Sequence, residues 1–159
     1  MPRGDLRDCL NEADAFYEVG KAYAGADKML PPSRFVYPVI VNLAFSCELY
    51  FKALMIWRNP DGMFEKGHSL VKLFGKLDEV DRGRIKELYV PDFYNWVFDD
   101  AIEEFDIAFE SWRYAFECDK DDLTITIFEL IRFADAVHTY VSGLISSSRC
   151  NGLGLLAKC

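Results

Sequence analysis

The sequence predicts an all-α fold, a bundle of four to six helices closed by a long C-terminal helix. Three observations carry this. Residues 6–23 place Leu6, Leu10, Ala13, Phe16, Tyr17 and Tyr23 at amphipathic helical spacing, with acids between them. Residues 35–57, FVYPVIVNLAFSCELYFKALMIW, are almost wholly apolar over 23 positions, so the segment has to be buried. Leu123, Ile127, Leu130, Ala134, Val137, Val141 and Leu144 then recur at alternating steps of three and four. No internal repeat or strand-like alternation competes with these periods.

The elements follow in chain order. The first helix is broken within residues 25–33, where Pro31 and Pro32 are adjacent. The central helix runs from about Arg34 to Trp57, with Pro38 tolerated in its first turn. Residues 58–67, RNPDGMFEKG, carry Asn-Pro and Asp-Gly turn signals. Ser69 caps a short helix, SLVKLFGKL, whose Leu70, Leu73, Phe74 and Leu77 form one apolar face. Residues 81–89 form another short helix, 90–96 an aromatic connection, and 99–116 a helix through Ile102, Phe105, Phe109 and Trp112. The CDKD at 118–121 is a turn, and Asp122 caps a last helix over residues 123–146. Its stripe lasts only three heptads without regular flanking charges, which fits a bundle helix rather than a coiled coil. Residues 1–146 are expected to form one domain, and residues 147–159, with Asn151-Gly152 and Gly154, a flexible tail.

Eighteen basic residues against 26 acidic ones leave a net charge of −8, which disfavours unspecific binding to nucleic acid. An RNA-binding surface would have to be a local patch, or come from oligomerisation or a partner. Five cysteines without CxxC or Cys/His spacing fit a reducing, cytoplasmic setting. The N-terminus, MPRGDLRDCLNEAD, lacks the apolar core of a secretory signal. Residues 35–57 have the length of a membrane span, but Glu48 and Lys52 would each cost about 2.5–3.5 kcal/mol on the insertion scale. A core helix is expected, with no membrane partner.

Those two charges are spaced i,i+4, so they share a helical face and can pair there. A buried charge without a partner is costly. Arg113, set among Trp112, Tyr114 and Phe116, is a second candidate partner that could grip Glu48 through a forked bond. His68 stands at a loop-to-helix junction, either lining a pocket with Glu48, Lys52 and Arg113 or anchoring the loop to the central helix. Arg132 and His138 form an R-x5-H motif in the last helix. Glu129 and Asp135, three residues either side of Arg132, offer it partners in a solvated ion-pair row. His138 shares a face with Ile127, Ile131, Ala134, Val141 and Ile145, as a core histidine would. Six residues at about 100° each leave Arg132 and His138 about 120° apart around the axis. No Gly-rich phosphate loop, Ser/His/Asp arrangement or acid-rich metal motif is present in the sequence, so no cofactor or metal is expected.

The succession of SCELYFKAL (46–54), GHSLVKLF (67–74) and FESWRYAFE (109–117), followed by a long closing helix, resembles the HEPN superfamily of prokaryotic helical domains. The resemblance covers roughly residues 6–146. It implies a homodimeric helical bundle associated with toxin–antitoxin or phage-defence systems, with a protein partner such as an antitoxin. A subset of that superfamily are metal-independent endoribonucleases using Arg-x(4–6)-His in the last helix. In such an enzyme Arg132 would hold the phosphate and His138 would serve as general base or acid for attack by an RNA 2′-hydroxyl. Catalytic members usually carry a polar residue straight after the arginine, where this chain has Phe133. The function expected is therefore a non-catalytic dimerisation and partner-binding module. The alternative is an endoribonuclease toxin acting through Arg132 and His138, with RNA as its substrate.

Overall fold

Among the described residues, helix forms where the apolar spacing predicts it, and no strand occurs. The computed structural model describes residues 5–24, 33–61, 66–91, 96–113 and 127–155; the side chains at 33, 107–113 and 148–155 lie outside that description. In order come α1 (Leu6–Ala24), a 3-10 turn (Ser33–Phe35), α2 (Val36–Arg58), α3 (Leu70–Gly75), α4 (Glu79–Leu88), α5 (Phe98–Arg113) and α6 (Ile127–Leu155). The fold is an all-α bundle, as the sequence predicts.

Because α2 is apolar on almost every side, it needs neighbours on every side. It packs along α1 and also touches α3, α5 and α6. Ile40, Leu43, Ala44, Cys47, Phe51 and Leu54 are essentially inaccessible. Among the described residues α2 is the one helix long and apolar enough to cross a membrane, yet 72% of its most apolar window is buried inside the bundle. Asn42, polar in this setting, donates its side-chain N–H to the Pro38 carbonyl one turn earlier at 2.6 Å.

The α1–α2 contact is close for an identifiable reason. A Cβ placed on Gly20 would lie 2.7 Å from the Leu43 Cγ, so only glycine lets the two backbones approach this way. Phe16 and Phe45 meet edge to face at 4.6 Å on the same seam.

The short helices begin at caps. Ser69 Oγ accepts from the Lys72 N–H at 3.2 Å and donates to Asp106 of α5 at 2.9 Å, so one hydroxyl both starts α3 and ties it to α5. Asp78 accepts from the Val80 N–H at 2.9 Å and starts α4 at Glu79, ahead of the expected Asp81.

On α6, Ile127, Leu130, Ala134, Val137 and Val141 are buried as the spacing requires; Leu144 is half-buried and Ile145 takes the core position beside it. The expected cap Asp122 and the start of the stripe at Leu123 lie outside the described residues. The helix runs on to Leu155, past the expected end at Ser146. Ser147 Oγ donates to the Gly143 carbonyl at 2.8 Å, a bond a continuing helix accommodates. Each interior glycine costs a helix only about 1 kcal/mol, and extension needs no new nucleus, so the Asn-Gly signal does not stop it.

Where α2, α5, α6 and the end of α4 converge, Phe133 is the hub of an aromatic cluster. Its ring lies 5.0 Å from Phe98, 5.3 Å from Phe105, 6.4 Å from Tyr89 and 6.5 Å from Phe51.

Candidate functional site

The central helix carries the first polar cluster. Glu48, 1% exposed, accepts from Lys52 Nζ at 2.6 Å, and His68 Nδ1 stands 3.0 and 3.2 Å from its two oxygens. One carboxylate thus holds a cation from its own helix and an imidazole from the segment entering α3. Lys52 is nearly as buried as Glu48, whereas more than half of the His68 side chain reaches solvent. Glu48, Lys52 and His68 are therefore brought together, and His68 anchors its loop to α2. Arg113 belongs to α5, but its side chain lies outside the described residues.

Arg132 and His138 point to different surroundings. Arg132 lies on the exposed side of α6. His138 is turned onto α1, where its ring stacks flat on Tyr17 at 4.1 Å and meets Tyr50 edge-on at 5.7 Å. Its Nε2 is 4.0 Å from an Asp14 oxygen, and a third of the side chain is exposed. The core histidine suggested by its helical neighbours is thus corrected to a seam position between α1 and α6. An imidazole at the edge of the apolar stripe keeps one side wet.

The neighbours of Arg132 also differ from the expected solvated row. Glu129 is fully buried and accepts from the Tyr89 hydroxyl at 2.7 Å. Asp135 accepts from Lys21 Nζ at 2.7 and 2.9 Å and from the Tyr17 hydroxyl at 2.6 Å. The reason is tertiary: Asp135 faces Lys21 and Tyr17 of α1, and Glu129 faces Tyr89 just past the end of α4, donors that lie far away in the chain.

Around His138 a further set of groups comes together that no motif singles out. Tyr50 donates to Asp14 at 2.5 Å, so Asp14, Tyr17, Lys21, Tyr50 and Asp135 join three helices through side-chain bonds. Burial and donation to Asp135 push the Tyr17 phenol up, and burial and donation to Asp14 do the same to Tyr50. Both hydroxyls therefore remain protonated donors. Tyr17 and Lys21 at i,i+4 on α1 were the one local sign of this seam.

A third network joins α2, α4 and α6. Asp81, fully buried, accepts from Arg58 through Nε at 2.9 Å and Nη2 at 2.5 Å and from the Tyr140 hydroxyl at 2.5 Å. Burial alone would raise the Asp81 carboxyl, but the forked guanidinium and the phenol hold it below the usual carboxylate range. Tyr140 is in turn pushed up to about 12 by burial and by its bond to Asp81. Nothing in the sequence marks Asp81, because both partners are remote in the chain.

Cys47 is buried and Cys9 donates its thiol to the Leu49 carbonyl at 3.3 Å; burial pushes Cys9 up to about 11 and Cys47 higher, which leaves both as unreactive thiols. Among the described residues no group of three or more His, Cys, Asp or Glu side chains is placed to hold a metal ion. Family models, curated proteins and solved structures were each compared with the chain, and none matches.

Proposed function

We propose that this chain is a non-catalytic, homodimerising HEPN-like module that binds a protein partner such as an antitoxin, in the cytoplasm, within a prokaryotic defence or toxin–antitoxin system. The observation that supports the non-catalytic reading is the commitment of His138 to α1, where Tyr17 covers one ring face and Asp14 stands beside Nε2. Arg132 projects from the exposed side of the helix, about 120° away around its axis. Phe133 supports the same reading, because its ring is the centre of the aromatic core and a polar group there would be buried without water. The order of motifs along the chain supports the superfamily.

The ribonuclease alternative draws on one observation: Arg132 is exposed and His138 partly so, which leaves both within reach of RNA from outside the bundle. Purified protein incubated with structured and single-stranded RNA in EDTA tests the choice. The expected result is no cleavage above buffer. EDTA-resistant cleavage that disappears in His138→Ala and falls sharply in Arg132→Ala would replace the proposal with the toxin reading.

A further inference from the structure

The geometry points to the groove between α3, α4 and α5 as a binding site for a small amphoteric ligand with an apolar body, the chemistry of a free aliphatic α-amino acid. It rests on none of the residues that carry the proposed function, since none of its residues belongs to the His138 seam or to the Glu48 cluster. The groove has a volume of about 500 Å³, within the range of about 300–1,000 Å³ usual for small-molecule sites. Phe74 and Ile102 form its apolar floor. Gly75 and Gly83 line it, and a Cβ on either would meet nothing within 4 Å, so the walls leave the space open.

The charges around this floor are only partly matched. Lys86 and Asp99 satisfy each other at 2.7 and 2.9 Å. Arg82 keeps an Nε–H that is shut off from water and has no acceptor among the described residues. Glu79 and Glu103 line the same groove, and neither has a hydrogen-bond or ion-pair partner among the described residues. A carboxylate entering beside Arg82 meets a guanidinium suited to grip it through forked N–H groups. An anion alone would meet two carboxylates on a chain of net charge −8. A cation alone would meet the guanidinium. A zwitterion offers its carboxylate to Arg82, its ammonium to Glu79 and Glu103, and its aliphatic group to Phe74 and Ile102.

Titration of isotope-labelled full-length protein with L-leucine, followed by amide resonances, tests this. Saturable shifts confined to α3, α4 and α5 are expected at roughly millimolar ligand, as befits so small a molecule. N-acetyl-leucine and leucinamide, each lacking one charge, should bind about tenfold more weakly or worse. Arg82→Gln should weaken L-leucine similarly, and Gly83→Leu, which fills the groove, should abolish the shifts while circular dichroism shows the helices intact. No saturable shift at tens of millimolar L-leucine, or an undiminished response in Gly83→Leu or to N-acetyl-leucine, would overturn the assignment. So would sedimentation showing that Arg82→Gln dissociates a dimer while leucine leaves the spectrum unchanged, which would give the groove to a second copy.

Discussion

Asp81 and Glu48 are buried acids held in different ways, and the difference sets what their removal costs. Asp81 faces a guanidinium whose side chain is 42% exposed, so Arg58 can rehydrate if the acid is lost. Asp81→Asn is therefore expected to cost about 1.5–3 kcal/mol at neutral pH, the range for charge-assisted bonds, rather than the larger loss of a fully buried pair. Its pH dependence follows from the lowered carboxyl. A depressed folded value means the stabilisation is complete above the unfolded carboxylate range and disappears as pH falls through the folded value. The gap between wild type and Asp81→Asn in urea unfolding should stay level from about pH 8 to 5 and shrink below about pH 4. A gap that widens in acid would contradict the ion pair. Glu48 instead faces the nearly buried Lys52. Glu48→Ala is expected to cost roughly 3–5 kcal/mol, and the double change Glu48→Ala/Lys52→Ala less, because only the single change takes a buried carboxylate from beside a cation that stays nearly buried. Equal losses would show that the two charges are not coupled.

Helix packing turns on where the small residues lie. Gly20 and Gly83 are both interior to helices, where alanine is intrinsically better by about 0.5–1 kcal/mol. Gly83 faces open space, so Gly83→Ala should realise that gain. At Gly20 the new methyl would press on Leu43, and the overpacking cost of about 1–3 kcal/mol should exceed the gain. Thermal unfolding of the two variants should thus move in opposite directions, and a stabilised Gly20→Ala would mean that α1 and α2 are less tightly apposed. In α2 itself, Phe51 is inaccessible and contacts both Phe74 and Phe133. Phe51→Ala should cost roughly 3–5 kcal/mol by chemical denaturation; a loss below about 0.5 kcal/mol, the level of a surface change, would misplace the core.

For the whole molecule, the proposal requires self-association. Sedimentation at micromolar concentrations is expected to give a homodimer; only monomer at high micromolar concentration would count against it. The acidic balance of −8 implies mutual repulsion between copies that salt screens, so any dimer should tighten rather than loosen as ionic strength rises.

The fold class was legible in the sequence because a helix needs only local periodicity and a buried face. The spacing in α1 and α6 and the length of the apolar α2 therefore placed those helices. The Glu48–Lys52 pair was legible for the same reason, since one turn of helix brings the partners together. Only the tertiary structure could decide the rest. Whether Asp135 holds Arg132 or Lys21, whether His138 lies in the core or on Tyr17, and whether Asp81 is buried all depend on donors supplied by helices far away in the chain. Sequence spacing along one helix orders the side chains around that helix, but says nothing of what a neighbouring helix will present to them.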